Sequence, residues 1–404
     1  MTRPVLLYVA PQARFFLSHR LSLAVAAKAA GFRVVVACTP DHETDEIEKA
    51  GLEFRPIAMT RSRLSPVGEA RAFSSLRRLI AGLRPDAVHL ITAKAAIYGG
   101  LACRLAGVPS VAAITGLGDV FTRPSFRNRL LRPVVLTAYR LALRHPGNHF
   151  IFQNADDRAV FADAGLLSRS GVTMIDGSGV DLDAIAPQPF RDERDIVALL
   201  PARLLKTKGL EEYVVAAQLL RDREPRLRCA VAGDLDTENP AGIRRDQIDR
   251  WTTEGIVEWW GFERDPARMF ARCDFVVLPS HREGFPKSLI DAAAAARAIV
   301  TTDVPGCRDA IIADVTGFLC AVGDPHDLAD KMLAVARDPA MRRRMGDEGR
   351  RLAERRFDLR RIIAAHLALY RGMIPKNTGR PPLPPGFSRS AAPKPDRSRD
   401  RFLG

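Results

Sequence analysis

Residues Leu278–Ile311 read LPSHREGFPKSLIDAAAAARAIVTTDVPGCRDAI, and the way this stretch folds decides the architecture of the chain. The apolar run Phe275–Leu278 leading into it has the length of a buried strand. A polar loop with Gly284 follows. Pro286, whose missing N–H costs nothing in a first turn, opens an alanine-rich segment of high helix propensity. Strand, tight loop and helix in this order point free helix amides back at the loop, an end that attracts anions. Glu283 in the loop and Asp291, about a turn and a half into the predicted helix, bracket that end. Carboxylates are poor phosphate ligands but accept hydrogen bonds from hydroxyls. The implied ligand carries both phosphate and hydroxyls, as a nucleotide-sugar does. A second reading of the same acids is a negative helix N-terminus favoured by the dipole.

Outward from this stretch, apolar runs of strand length alternate with amphipathic segments. Val5–Val9, Val34–Cys38, Ala87–Ile91, Val111–Ile114 and His149–Phe152 form one series, with helical patterns such as Ser22–Ala30 and Phe73–Leu83 between them. Ile196–Leu200, Cys229–Ala232, Ile256–Trp260, Phe275–Leu278 and Ala298–Thr301 form a second. Val- and Ile-rich runs separated by helices predict parallel sheets covered on both faces. At 404 residues the chain exceeds one comfortable core. The predicted fold is therefore α/β, with two doubly wound, Rossmann-like domains. Gly, Pro and charge cluster in GSGVDLDAIAPQPFRDERD, residues 177–195, which marks the joint. The expected division is residues 1–183 and 184–360, then a helical stretch over 361–374. The Pro-, Ser- and Arg-rich tail over 375–404 has the composition of a disordered segment. Ligands of open α/β sheets sit beyond the carboxyl ends of the strands, so two facing sheets place their sites across one cleft.

The second series opens with a strand that runs into PARLLKTKGL, residues 201–210. Arg203 and Lys208 leave its carboxyl end, and Gly209 precedes a helix predicted to start near Leu210. A guanidinium grips two phosphate oxygens at once, and a lysine adds a mobile point charge. Together they suit a diphosphate, including the charge that grows on a departing nucleotide. Lys206 lies between them as a bystander.

Arg203 and Lys208 at R-x4-K spacing, followed by E-G-F-P-K-S-L-I-D over Glu283–Asp291, resemble the diphosphate clamp and E-x7-E signature of the retaining family 4 glycosyltransferases. This family is also called glycosyl transferases group 1. The resemblance spans roughly residues 4–373. It implies the GT-B fold, with the first domain binding acceptor, the second binding donor, and the last helix crossing back to the first domain. It implies Arg203, Lys208 and Glu283 as catalytic residues, with Glu283 on the sugar hydroxyls and Asp291 on the ribose, one carbon shorter than the family's Glu. Gly233 and Asp234 match the family's G-D turn on the nucleotide side, and Gly284, Phe285, Lys287 and Ser288 belong to the donor loop. Phe262 is either a neighbour of the base or a core aromatic. No residue in these motifs is an evident covalent nucleophile, so the implied route is front-face, without metal or cofactor.

The first half resembles the subset acting on undecaprenyl-diphosphate-linked sugars. Its first strand–helix turn, APQARFFLSHRL over Ala10–Leu21, lacks the G-x-G-x-x-G of dinucleotide enzymes. In that subset this turn lines the acceptor, which makes Ser18, His19 and Arg20 acceptor candidates. The alternative is a Ser N-cap ahead of a solvated first turn. Lys94 is placed by the same resemblance near an acceptor phosphate, the alternative being solvated surface. In Thr115-Gly116-Leu117-Gly118-Asp119, two glycines allow close backbone approach to a ligand. Many family members carry a donor-touching histidine near here, for which Thr115 or Asp119 is the candidate substitute.

With 61 Lys and Arg against 47 Asp and Glu, the net charge of +14 argues for anionic partners without choosing among them. Arg123–Arg144, RPSFRNRLLRPVVLTAYRLALR, has six arginines and no acid. It reads as a basic amphipathic membrane-surface element split into two helices at Pro133, or as a core-packed helix with a solvated basic face. Six scattered cysteines without a C-x-x-C pair fit a reduced, cytoplasmic chain. The run Val5–Ala10 is too short for a secretory segment, and no stretch approaches a membrane span. The expected protein moves a sugar from a UDP-sugar to a lipid-linked saccharide in capsule, O-antigen or surface-glycan biosynthesis. It would work peripherally at the inner face of the cytoplasmic membrane, with no nucleic-acid partner. The rivals are a nucleotide-sugar epimerase of the same fold and a non-catalytic protein that binds membranes or anions.

Overall fold

Apolar strands buried on both faces need strand partners at both edges and helices above and below, and each series meets that need in its own parallel sheet. The computed structural model describes residues 3–59, 66–122, 126–190, 195–237 and 239–374. The first unit runs β1 (Val5–Gln12), α1 (Ala13–Ala29), β2 (Arg33–Thr39), α2 (Thr44–Lys49), β3 (Glu53–Pro56), α3 (Pro66–Leu83) and β4 (Ala87–Ile91). It continues through α4 (Ala93–Ala106), β5 (Ser110–Ile114), α5 (Asp119–Thr122), α6 (Phe126–Leu143), β6 (Asn148–Phe152), α7 (Ala155–Asp163) and β7 (Gly171–Met174). The second unit runs β8 (Ile196–Pro201), α8 (Leu210–Leu220), β9 (Leu227–Ala232), α9 (Arg245–Thr253), β10 (Glu258–Trp259) and α10 (Pro266–Ala271). After these come β11 (Phe275–Leu278), α11 (Lys287–Ala294), β12 (Ala298–Thr302), β13 (Gly317–Cys320), α12 (Pro325–Arg337), α13 (Pro339–Leu352) and α14 (Leu359–Met373).

The seven-stranded sheet has the order β3-β2-β1-β4-β5-β6-β7 and the six-stranded sheet β10-β9-β8-β11-β12-β13. Every pairing is parallel. In each sheet the chain starts in the middle, works to one edge and then jumps back. The resulting switch points, β1/β4 and β8/β11, leave crevices beyond the strand ends where ligands bind in such folds.

The structure corrects several expectations. Edge strands β3 and β7 escape sequence reading because they are short and partly exposed, with no sustained apolar run, whereas β13, four residues long, escapes it although Phe318–Cys320 is apolar. Ile256–Trp260 forms only the two-residue β10. Strand β1 extends to Gln12 and α1 begins at Ala13, so Ser18, His19 and Arg20 lie inside a helix, and Ser18 is not its N-cap. Pro286 is the N-cap of α11 rather than part of its first turn. Helix α6 passes unbroken through Pro133, which sits on its exposed side. The tail over 375–404, residues 123–125 of the basic segment and 191–194 of the joint lie outside the described residues.

The chain crosses between the units twice, side by side. Val180 N donates to Phe357 O at 2.8 Å, and Leu359 N donates to Val180 O at 2.9 Å. Gly179 at φ +77° is needed there, since a Cβ would lie 3.0 Å from the Leu359 Cα. Helix α14 then lays Ile362, Leu367 and Tyr370 into the first unit's core with Leu6, Tyr8 and Phe16. Burial of such side chains is worth roughly 1.5–3 kcal/mol each, enough to fasten the helix across the joint.

Candidate active site

The β8/β11 switch point gathers the cationic and acidic candidates of the second unit. Beyond β8 the chain makes a single 3₁₀ turn over Lys206–Lys208 and enters α8 through Gly209 at φ +72°. A Cβ on Gly209 would stand 2.0 Å from the Pro279 carbonyl, so only glycine lets this loop lie against the one after β11. His281 N donates to Thr207 O at 3.0 Å and fastens the two loops. Lys208 Nζ thereby donates to Glu283 Oε1, which also accepts from Ser280 Oγ at 2.7 Å. The two side chains are 21% and 12% exposed, reachable by a ligand yet partly desolvated. Lys287 Nζ reaches both oxygens of Asp291, at 2.7 and 2.8 Å, one turn along α11. Burial raises the Asp291 carboxyl above its ordinary pKa against the pull of Lys287. The N-terminus of α11 carries no side-chain cap, and Ser288 sits partly exposed in its first turn.

Arg203 turns the other way. Its Nη1 lies 2.5 Å from Asp236 Oδ2, in the loop after β9, whereas Lys206 pairs with Glu211 at 2.9 Å. Gly233 is pressed under the Ala202 carbonyl, which a Cβ would approach to 2.0 Å, and its N–H donates to Gly261 O at 2.8 Å. Leu204 N donates to Asp234 O at 3.0 Å, so the ends of β8, β9 and β10 are stitched into one surface. Phe262 is an exposed ring at 51%, not a core aromatic. Phe285 is the reverse, its ring buried edge-on against Phe357 at 5.5 Å, which leaves the loop after β11 its backbone.

The first unit closes over this surface. A Cβ on Gly284 would stand 2.0 Å from the Thr115 carbonyl, and Gly116 takes φ +130° beside it. The Thr115–Gly118 turn therefore rests directly on the loop after β11. Asp119 opens α5, its side chain outside what the structure describes. Ser18 Oγ lies 2.6 Å from His19 Nδ1, and the imidazole stacks on Phe15 at 4.5 Å. Burial, aided by the charges of Arg20, Lys287 and Lys208, pushes the His19 pKa down to about 3 and keeps the ring neutral. Ser18, His19, Arg20, Ser178, Lys287 and His366 share a cavity of about 160 Å³ between the units. Lys94 is engaged instead by Glu69 of α3, at 2.8 Å.

Four residues at the cleft escaped sequence reading. Arg14 reaches across it to Asp234 Oδ2 at 2.5 Å, with its guanidinium 4.8 Å over the Phe262 ring. Asn154 donates to Gly284 O at 2.8 Å, and Asp157 pairs with Arg282. Asn154 and Asp157 did leave a signal: an Asn at a strand end with acids in the next turn is a helix N-terminus. Away from the cleft, α6 exposes Phe126, Leu130, Val134 and Leu141, at 79%, 61%, 63% and 59%, among exposed arginines. Among the described residues no cluster of His, Cys, Asp and Glu is placed to hold a metal ion, and no helix is long and apolar enough to cross a membrane.

Comparison with known proteins adds what geometry alone does not. Residues 182–352 match the glycosyl transferases group 1 model and residues 5–154 the glycosyl transferase 4-like model. The chain is similar to the N,N'-diacetylbacillosaminyl-diphospho-undecaprenol alpha-1,3-N-acetylgalactosaminyltransferase of Campylobacter jejuni, 26% identical over 89% of this chain and 98% of that protein. It is 27% identical to the putative glycosyltransferase EpsD of Bacillus subtilis, over 76% of this chain and 81% of the other. Among solved structures, Anabaena HepE in complex with UDP and glucose superposes with a TM-score of 0.71 at 19% identity, over 91% of this chain and 99% of its own. Sucrose-phosphate synthase of Thermosynechococcus elongatus gives 0.77 at 18% identity, over 92% and 99%.

Proposed function

Since the chain is a GT-B glycosyltransferase, a 4-like domain joined to a glycosyl transferases group 1 domain, we propose that it moves a sugar, with retention, from a UDP-sugar to a saccharide carried on undecaprenyl diphosphate. The product would enter a capsule, O-antigen or other surface glycan. One contact carries this assignment: Lys208 on Glu283 at the β8/β11 switch point, a cation and an acid from two loops meeting where a donor would lie. The acceptor class is supported by the lipid diphosphate named for the Campylobacter relative, and the donor class by the motif resemblance.

In this mechanism the donor breaks the resting ion pairs. Its diphosphate takes Lys208 from Glu283 and Arg203 from Asp236, exchanging one anion for another. Glu283, released, accepts hydrogen bonds from the sugar hydroxyls and orients the ring. As the bond from C1 to the phosphate oxygen lengthens, negative charge collects on the diphosphate, and the two cations and the uncapped end of α11 stabilise it. The acceptor hydroxyl enters on the face the phosphate leaves. Its oxygen bonds to C1 and its proton passes to the departing phosphate oxygen, so configuration at C1 is kept. His19, neutral near pH 7, offers hydrogen bonds without adding charge. The basic and apolar face of α6 suits the surface of an anionic bilayer, from which the lipid-linked acceptor would be drawn.

The test is turnover by the purified protein on a panel of UDP-sugars with defined undecaprenyl-diphosphate saccharides, followed by mass spectrometry. The expected result is UDP release matched by gain of one sugar on the lipid. A new UDP-sugar formed without acceptor would assign an epimerase instead. Absence of UDP release with every acceptor would remove transfer altogether.

A further inference from the structure

We propose that Asn154 and Asp157, on the first domain, are positioning residues that set Glu283 of the second domain in place when the cleft is closed. The inference rests on the transfer reading above for the role of Glu283, and on geometry alone for the latch. Glu283 is flanked by Arg282 and Gly284, and a residue of the first domain holds each flank. Arg282 Nη2 donates to Asp157 Oδ1, and Asn154 Nδ2 donates to the Gly284 carbonyl at 2.8 Å. Asn154 does double duty: its Oδ1 caps α7 by accepting from Asp157 N at 2.8 Å, and its Nδ2 also lies 3.2 Å from Asp157 Oδ2. Gly284 is packed against the Thr115 carbonyl and Gln153 Oε1 with no room for a side chain. Glu283 itself points away from all of these, toward Lys208 and Ser280.

Asp157 is 0% exposed and Asn154 2%, so neither has water to fall back on. A buried carboxylate is tolerated only with its partner in place, and losing that partner is far more disruptive than losing a surface pair. Arg282 is therefore part of what lets Asp157 be buried. Opening of the cleft would pull Arg282 and Gly284 off together and leave Glu283 to the contacts of its own domain, the Pro305 carbonyl, Ser280 and Lys208. The acid that steers the sugar is thereby correctly aimed only when the acceptor domain is seated.

The experiment uses the full-length protein with three substitutions. Asp157→Asn removes the charge, Asn154→Ser keeps a helix cap but loses the donor to Gly284, and Arg282→Gln removes the cation from the other side. Each is expected to lower kcat/KM for transfer by roughly 10- to 100-fold, the scale of a reacting group displaced by about an ångström. UDP affinity by calorimetry should stay within about twofold, because UDP has no sugar for Glu283 to hold. Amide exchange over residues 280–286 should accelerate about tenfold while α8 and β9 stay unchanged. The Asp157→Asn/Arg282→Gln double variant should be no slower than the worse single one. Wild-type rates and wild-type loop exchange in the variants would overturn the proposal. So would a parallel fall of UDP affinity, melting temperature and rate, which marks a purely structural role. If the wild type turns over no donor, the transfer reading fails, while the loop exchange still decides whether the latch exists.

Discussion

The two walls of the cleft are built on opposite electrostatic plans. The second domain's wall carries ions in pairs of graded exposure, Arg203 with Asp236 the wettest, Lys208 with Glu283 drier and Lys287 with the buried Asp291, all on loops and helix starts beyond strand ends. Behind the first domain's wall lies a buried polar cluster of Tyr8, Arg20, His89, His366 and Tyr370, each 3% exposed or less. There Tyr370 Oη is 2.6 Å from His89 Nδ1 and 3.2 Å from Tyr8 Oη, and His89 stacks on His366 at 5.7 Å. Half-wet ions trade partners at little cost. Groups buried this deeply have little water to trade with, so their geometry is fixed. On the transfer reading, one wall exchanges its contacts while the other holds still.

The sharpest way to break this comparison is to remove the exchangeable ions. Lys208→Ala and Glu283→Ala should each lower kcat/KM by about 10²–10³, some 3–4 kcal/mol of transition-state stabilisation. Folding stability should change by less than about 1 kcal/mol, because both side chains keep contact with water. Steady-state kinetics and urea unfolding on the same preparations measure both. A loss of stability as large as the loss of rate would make this wall structural as well, and the contrast would be gone.

The difference between the walls also explains what the sequence could tell. Lys208 and Glu283 lie next to the glycines that shape their loops, so strand, loop and helix patterns were enough to single each of them out, while their contact appears only in the structure. Glu283, in the loop, and Asp291, one turn beyond Lys287 in α11, belong to one short chain segment, legible from spacing alone. Nothing local marks His89, which meets Tyr370 across 281 positions, or Arg14, which meets Asp234 across 220. Their neighbours are set by α14 and by domain closure, and neither leaves a trace in periodicity. The start of α1 was misread for a related reason: Gln12 makes no side-chain cap, so the usual signal is missing. Edge strand β3, EFRP, shares sheet hydrogen bonds but not the apolar composition of central strands, and β7 and β13 are only four residues long.

Acid should separate the walls next. His19 and His366 have folded pKa values of about 3, lowered mainly by burial, and His89 lies well below its ordinary value for the same reason. The unfolded chain binds protons on these rings near pH 6.5, so between the two values it holds more protons than the folded one. Their contribution is complete above about pH 6.5 and is lost as pH falls toward 3. At pH 5, about 1.5 units below the unfolded value, each of His19 and His366 should have given up about 2 kcal/mol. His366→Gln should start less stable at pH 7.5 yet lose about 2 kcal/mol less than wild type on going to pH 5, as read by urea unfolding at both values. Equal losses in the two proteins would place the acid sensitivity elsewhere.

Arg14 is the smallest test and the most pointed, because it belongs to both walls. Its backbone N–H is anchored on Asp41 at 3.0 Å in the first domain, while its guanidinium touches Asp234 and covers Phe262 in the second. Arg14 and Asp234 are each 38% exposed, so the ion pair is worth at most about 1 kcal/mol and the cation–π contact about as much. Arg14→Ala should therefore leave stability within about 1 kcal/mol of wild type. If the guanidinium behaves as the other ions of the cleft do, it leaves Asp234 for the incoming diphosphate, and its loss removes binding common to ground and transition states. The donor KM should then rise about three- to tenfold with kcat nearly unchanged. A lowered KM would mean that the Arg14–Asp234 pair blocks the nucleotide rather than receives it, and Arg14 would belong to the wall that holds still.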